Sequence, residues 1–137
     1  MIKTVHIALI CFLCATSVFS QSEDETYAHA DSLLKAREFA QSIPYYDKLI
    51  AQNSSNEMYY RGRGYAYLGL TELDKGEADY RKALELNPNC SKCYNNLGKI
   101  EANRGNLNEA IQLLTTAIEK DENNGNAYFF RARVKEF

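Results

Sequence analysis

Two cysteines stand in the segment Cys90-Ser91-Lys92-Cys93, and they are the residues with the clearest reactive potential. A thiol at the start of a helix has a lowered pKa and can react as a thiolate. A thiol redox protein would place such a pair in a strand–helix–strand context, and a zinc site would need a second pair of ligands, but neither accompanies this segment. The pair predicts a local disulfide or two unbonded thiols, with a thiol redox protein as the alternative.

Other catalytic chemistry has few candidate residues. Beyond residue 20 the chain holds one histidine, His29, which is expected on the packing face of its helix because no second histidine could complete a metal pair or a triad. Gly62 and Gly64 lie inside a predicted helix, so they do not form a phosphate-binding loop. The acidic residues are expected on helix faces turned to water. The sequence therefore predicts no enzyme activity, no metal and no cofactor.

The composition predicts one soluble domain. Of 137 residues, 45% are hydrophobic and 25% are charged, and this balance excludes a disordered or collagen-like chain. The formal net charge of −2 provides no basic surface for nucleic acid. Nucleic acid is therefore not an expected partner.

Residues 1–20 have the composition of a signal peptide. One basic residue, Lys3, precedes an apolar run over 5–15, and Val18 and Ser20 fit the small residues before a signal peptidase site. The run is shorter than the ~20 residues that span a bilayer. We expect cleavage after Ser20 and export to the periplasm, the envelope or the exterior, with no membrane span in the mature chain. An uncleaved anchor is the alternative.

A period of 34 residues organises the chain after residue 22. Steps of this length bring bulky residues together in some slots and small residues together in others. Small side chains let two helices approach closely, and bulky ones fill the space on either side, so the pattern is a packing rule for helix pairs. The aligned sets are Tyr60, Tyr94 and Tyr128; Ala30, Gly64, Gly98 and Ala132; Phe39, Leu73 and Leu107; Ser42, Gly76 and Ala110; Tyr46, Tyr80 and Leu114; and Leu49, Ala83 and Ala117.

Apolar spacing and the polar breaks between segments predict where the helices lie. Pro44 falls inside the second segment, beyond the first turn in which a proline is tolerated, so that helix is expected to start late or to bend there. The predicted segments are 26–37, 40–52, 57–70, 73–86, 91–104, 107–120 and 126–137.

The pattern resembles the tetratricopeptide repeat family, in which a bulky aromatic residue, Leu-Gly, Tyr, Ala and Pro recur over 34 residues. Residues 57–90 and 91–124 match well, 23–56 form a weaker copy, and 125–137 form a half copy or a capping helix. The resemblance rests on Tyr60, Gly64, Tyr67, Tyr80, Ala83 and Pro88 in the first strong copy, and on Tyr94, Leu97, Gly98, Gly105, Ala110, Ala117 and Ile118 in the second.

The resemblance implies an all-α fold, an α-solenoid of antiparallel helical hairpins with about seven helices after the signal segment. It also implies a non-enzymatic scaffold, because in the family the first helix of each unit lines a concave groove that holds an extended peptide. Two residues depart from the pattern: Arg63 stands where Leu is usual, and Glu101 where Tyr is usual.

Helical spacing selects the residues expected in this groove. The predicted groove is basic, with amides and aromatics, and is acidic at its amino end. A protein or peptide partner with an acidic or amide-rich extended segment is therefore expected, although solvated surface charges remain the alternative for the basic residues. One subgroup of the family clamps a terminal carboxylate in its first repeat, but those slots hold Tyr27 and Asp31, which do not fit the clamp. The predicted groove residues are Arg61, Tyr65, Asn95, Asn96, Lys99, Phe129 and Arg133.

The last predicted helix carries an unusual number of apolar residues for the end of a repeat array, among them Phe129, Phe130 and Val134. Either this helix caps the stack alone or the native chain is longer. Apolar surface left on it predicts a docking site, so a subunit that assembles through this helix is a second alternative function.

Overall fold

The computed structural model describes residues 23–136. The signal peptide predicted over 1–20 lies outside the described residues. Within the described range the chain is all-α, with no strand, as predicted. Its seven helices are α1 over 23–35, α2 Phe39–Gln52, α3 Glu57–Gly69, α4 Leu73–Leu86, α5 Ser91–Asn103, α6 Leu107–Lys120 and α7 Gly125–Lys135.

The helices pack as consecutive neighbours. Helix α2 contacts α3, α3 contacts α4, and the series continues to α7, while α5 also touches both α3 and α7. Short connections between consecutive helices make the neighbours antiparallel. Helices α3, α5 and α7 therefore lie side by side in one layer. The solenoid of helical hairpins is confirmed, whereas the repeat boundaries stay a prediction.

One slot of the 34-residue period supplies the centre of each part of the core. Tyr46, Tyr80 and Leu114 come from α2, α4 and α6, and their exposed fractions are 1%, 0% and 0%. Each belongs to a different cluster of buried side chains. The core is thus a row of similar clusters, as expected where every unit packs only on its neighbours.

The slot of small residues lets the paired helices approach closely. Ala30, Gly64 and Gly98 are buried, whereas Ala132 on α7 is exposed. A Cβ atom on Gly64 would lie 3.3 Å from the carbonyl oxygen of Gly76 on α4. Because a backbone atom cannot easily move away, this slot admits little more than a hydrogen atom.

A second repeating slot controls the turn inside each hairpin. Arg37, Thr71 and Gly105 are 34 residues apart in sequence, and their φ angles are 63°, 60° and 83°. Each residue follows a helix and adopts the left-handed conformation that ends helices, a conformation that favours glycine. Only the third unit has glycine in this slot, so the first two units carry backbone strain there.

Thr71→Gly is expected to stabilise the protein by about 0.5–1 kcal/mol, because a β-branched residue at positive φ costs more than the extra freedom that glycine gains in the unfolded chain. Urea denaturation of the variant checks this. Gly105→Ala in the matching turn is the control and is expected to destabilise by about 1 kcal/mol. A loss of stability in both variants would contradict the strain at Thr71.

A third repeating slot caps the helices of the α3, α5 and α7 layer. The side chains of Asn56, Cys90 and Asn124 each accept a hydrogen bond from a backbone N–H in the first turn of the following helix, at 3.1, 3.1 and 3.2 Å. Such caps satisfy donors that have no partner inside the helix. A cysteine sulfur therefore replaces the asparagine amide at the start of α5.

The expectation that α2 starts late because of Pro44 was wrong. The helix begins at Phe39 and includes Pro44. A proline in this position leaves the carbonyl oxygen of Ala40 without its helical donor. Both Ala40 and Pro44 are exposed, so water can satisfy that oxygen and the helix can continue.

Across residues 23–136, no helix has both the length and the apolar character needed to cross a membrane.

Candidate peptide-binding groove

An open cavity of about 510 Å³ runs along the inner layer of helices. Its walls come mainly from α1, α3, α5 and α7, and they combine aromatic, amide and charged side chains. We call this cavity the main groove. Its lining residues are Tyr27, Asp31, Leu34, Tyr46, Met58, Arg61, Gly62, Tyr65, Lys92, Asn95, Asn96, Lys99, Asn124, Asn126 and Phe130.

Five of the predicted groove residues, Arg61, Tyr65, Asn95, Asn96 and Lys99, lie together in the main groove. Arg133 lines an adjoining cavity of about 380 Å³, which we call the end cavity. Lys99 and Phe130 line both cavities, so the two are neighbours. The other residues that line the end cavity are Leu68, Ala102, Asn103, Leu107 and Val134.

Phe129 was predicted in the groove but lines neither cavity, and Phe130 lies there in its stead. The Phe129 ring is 55% exposed and packs edge-on against the Phe130 ring, with 5.3 Å between their centroids. Because the Phe130 ring covers this side of α7, the Phe129 ring is left facing solvent. Sequence reasoning could have found Phe130, since it is one 34-residue step beyond Asn96.

The two asparagines of α5 form a buried amide pair. Asn95 and Asn96 are 4% and 8% exposed, and the Asn95 side-chain amide donates to Asn96 Oδ1 at 3.3 Å. Asn95 Oδ1 is buried and accepts no hydrogen bond from the described residues. A buried acceptor without a donor costs free energy, so the pair has unused hydrogen-bonding capacity.

The cations of the two cavities differ in their partners. Arg61 forms an ion pair with Glu57 at 3.5 Å. Among the described residues, no acidic side chain pairs with Lys99 or Arg133. The Lys99 ammonium group lies 4.2 Å from the centre of the Phe130 ring, and the Arg133 guanidinium lies 5.6 Å from that of Phe129. Burial lowers the pKa of Lys99, so its charge is kept in a partly dehydrated position.

The amino end of the main groove is aromatic and acidic. The Tyr27 ring packs against Tyr46 and Tyr59, with centroids 6.4 and 5.6 Å apart. Burial raises the pKa values of Tyr27 and Tyr46, so both hydroxyls stay protonated. Asp31 pairs with Lys35 at 2.6 Å. The groove is therefore polarised, with acid near α1 and unpaired base near α7.

Not every charged side chain faces water, and the general expectation of solvated acidic faces was wrong for Asp79 and Glu101, which are 5% and 4% exposed. Arg63 binds both oxygens of Asp79, through Nε at 2.8 Å and Nη2 at 2.7 Å, and also binds Asp47 at 2.6 Å. This cluster joins α2, α3 and α4. It explains why Arg63 departs from the usual leucine.

Glu101 belongs to a second cluster, centred on Arg104. The Arg104 guanidinium donates to Glu101 and Glu77, each at 2.6 Å, and to Asp74 at 2.5 Å. Asn106 donates to the second oxygen of Glu101 at 2.7 Å. The Arg104 hydrogen bond holds the pKa of Glu77 below its usual range. The cluster fastens α4 to the end of α5, and neither it nor the Arg63 cluster faces the main groove.

Cys90 and Cys93 form a disulfide with their Cα atoms 5.3 Å apart. The two residues are 5% and 0% exposed and belong to the same buried cluster as Tyr80 and Ile100. Thiol–disulfide exchange requires a thiolate to reach one of the sulfur atoms. Burial therefore favours a structural disulfide over a redox site.

Other candidate chemistry is sparse in residues 23–136. No group of three or more His, Cys, Asp and Glu side chains in this range could hold a metal ion. His29 was expected on a packing face, but it is exposed and packs edge-on against Tyr45, with ring centroids 4.6 Å apart.

The outer side of α7 leaves Tyr128 and Phe129 exposed at 44% and 55%. Arg131 and Arg133 lie beside these rings at 5.6 Å. The docking of another subunit on this helix stays a prediction.

Comparison with known proteins follows this geometry. The model of the tetratricopeptide repeat family matches residues 27–89 and 61–127. Mitochondrial import receptor subunit TOM70 of Rattus norvegicus is 34% identical over 96 residues, which are 69% of this chain and 16% of that protein. Heat shock protein STI1 of Saccharomyces cerevisiae is 27% identical over 106 residues, which are 77% of this chain and 18% of that protein. The chain thus spans less than a fifth of the length of either relative.

Solved structures agree on the fold. The TPR domain of Arabidopsis OM64 superposes with a TM-score of 0.79 at 21% identity, over 83% of this chain and 94% of that chain. The first TPR domain of Spaghetti (RPAP3), bound to the HSP90 peptide SRMEEVD, superposes with a TM-score of 0.77 at 22% identity, over 85% of this chain and 92% of that chain.

Proposed function

Because the chain belongs to the tetratricopeptide repeat family, we propose that it is a protein-interaction scaffold that holds an extended segment of a partner protein in the main groove and performs no chemistry of its own. The observation that carries this proposal is the single cavity that brings together Arg61, Tyr65, Asn95, Asn96 and Lys99. Amides can bond the backbone of an extended peptide, and cations can bind its carboxylates.

Similar structures support a peptide as the class of ligand. Two TPR domains of RPAP3 were solved with an HSP90 peptide, SRMEEVD, and an HSP70 peptide, SGPTIEEVD. Both peptides are rich in acidic residues. We propose an acidic or amide-rich segment for this chain as well, because the carboxyl half of its groove is basic. We also propose that the interaction takes place outside the cytoplasm, since residues 1–20 have the composition of a signal peptide.

Selection from a library of displayed random dodecapeptides tests the function without a known partner. The immobilised full chain is expected to enrich peptides that it binds with micromolar affinity, typical of small, weak interfaces. Combined reversal of the basic residues, Arg61→Glu, Lys99→Glu and Arg133→Glu, is expected to weaken these peptides by roughly a hundredfold or more, because an attractive charge becomes repulsive at each position.

A matched control changes the net charge equally on the other helices. Lys48, Lys82 and Lys120 lie on α2, α4 and α6 and do not line the main groove. Their combined replacement by glutamate is expected to leave peptide binding within roughly threefold, since exposed charges more than a Debye length away are screened. Equal losses in the two triple variants, or no enriched peptide at all, would refute groove binding.

A further inference from the structure

The unpaired cations of the groove are concentrated at its carboxyl end. Arg61 already has Glu57 as a partner at 3.5 Å, so its charge is partly satisfied in the free protein. Lys99 and Arg133 have no acidic partner among the described residues, and both line the end cavity. A half-buried ammonium group has lost water without gaining a counter-ion, which costs free energy until an anion arrives.

The end cavity also offers apolar surface beside these charges. Leu68 from α3, Ala102 from α5, Leu107 from α6 and Val134 from α7 line it together with the Phe130 ring. An apolar pocket with a few convergent polar groups is the usual form of a ligand site. Here the convergent groups are two cations, so the site suits a ligand that combines a bulky apolar group with a carboxylate.

We propose that the end cavity selects, within the partner segment, a bulky apolar side chain together with an aspartate or glutamate close to it in sequence. The apolar side chain enters the end cavity, and the acidic side chain binds Lys99 between the two cavities, with Arg133 as the second cation. Residues i and i+2 of an extended chain lie on the same side about 7 Å apart, so the acidic residue is two positions from the apolar one. This specificity rests on the proposed function, because it concerns the same groove.

The selection rule gives Lys99 a signature that a purely structural residue would lack. Burial lowers the pKa of Lys99, so the protonated ammonium destabilises the free protein at neutral pH. That penalty shrinks as the pH rises toward the ordinary lysine pKa, where the folded protein can hold Lys99 neutral. Lys99→Met keeps the apolar stem over the Phe130 ring and removes the charge. The variant should therefore melt at a higher temperature than the wild type and bind the selected peptides more weakly.

The experiment compares peptides selected from the displayed dodecapeptide library by the wild type and by single variants of the full chain. Wild-type binders are expected to share a bulky apolar residue with Asp or Glu two positions away. Replacement of that acid by its amide, or Lys99→Met in the protein, should weaken binding at least roughly tenfold, the usual effect of losing a charge-assisted hydrogen bond. Arg61→Gln is the control inside the groove and should change binding less than roughly threefold. Amidation of the peptide carboxyl terminus should change nothing, because the proposed anion is a side chain.

The outcomes separate this inference from the function on which it rests. Peptides that bind in the groove without the apolar–acidic pair, or that depend on Arg61 and Tyr65 but not on Lys99, would overturn the inference and leave groove binding intact. Loss of binding on carboxyl-terminal amidation would also overturn it, because the anion would then be a terminal carboxylate. A failure to enrich any peptide would refute both.

Discussion

Arg63→Met is expected to destabilise the protein by about 3–5 kcal/mol, the usual cost of leaving a buried charge without its partner. Asp79 would keep its negative charge at 5% exposure after losing both hydrogen bonds from the guanidinium. Since domains of this size are stable by only ~5–15 kcal/mol, thermal unfolding should begin at least about 10 °C earlier. Circular dichroism against temperature and urea measures the change.

Two further variants separate the buried charge from simple loss of contact. Arg81→Met removes an exposed cation that pairs with Glu77 along α4, and it should cost no more than about 0.5 kcal/mol. The double variant Arg63→Met/Asp79→Leu removes both members of the buried pair and should recover most of the lost stability, because apolar replacement of such pairs is often neutral. A double variant as unstable as the single one would contradict this explanation.

Gly98→Val is expected to destabilise the protein by about 3 kcal/mol or more through steric overlap between α5 and α6. A Cβ atom alone would lie 2.7 Å from Leu114 Cγ and 3.2 Å from the carbonyl oxygen of Ala110. Leu114 is fully buried, and a backbone carbonyl can move only with its helix. The two helices must therefore separate, which opens the core around Leu114.

A double-mutant cycle identifies the overlap as the cause. In a Leu114→Ala background the nearest clash is removed, so Gly98→Ala should cost much less than it does in the wild type, and the coupling free energy should exceed about 0.5 kcal/mol. Gly125→Ala is the control, because no atom lies within 4 Å of a Cβ at that position. Additive costs for Gly98→Ala and Leu114→Ala would contradict close packing at this glycine.

The sequence was sufficient for the fold because the fold depends on side-chain size. Periodic small residues such as Gly64 and Gly98, alternating with bulky ones such as Tyr80 and Leu114, specify which faces meet, whatever the remaining surface carries. Local chemistry was harder to predict. Pro44 was expected to delay α2, but the affected carbonyl faces solvent, and that exposure depends on the tertiary arrangement.

The groove was partly predictable for the same reason. Helical spacing assigned Arg61, Asn95 and Lys99 to one side of the solenoid, and they line the main groove together. It did not distinguish Phe129 from Phe130, which are adjacent on α7, because the choice depends on which ring covers Lys99. Pairing was also beyond the sequence: whether a basic residue meets an acid, as Arg61 does, or none, as Lys99 does, depends on distances between helices.

Nuclear magnetic resonance of the isotopically labelled full chain, titrated with a peptide selected from the displayed library, tests the central claim most directly. Groove binding predicts that the backbone amide signals that shift most belong to α1, α3, α5 and α7 around Arg61, Asn95, Lys99 and Phe130, with small changes on α2, α4 and α6. Shifts concentrated on the outer helices, or confined to the exposed side of α7 around Tyr128 and Phe129, would contradict it.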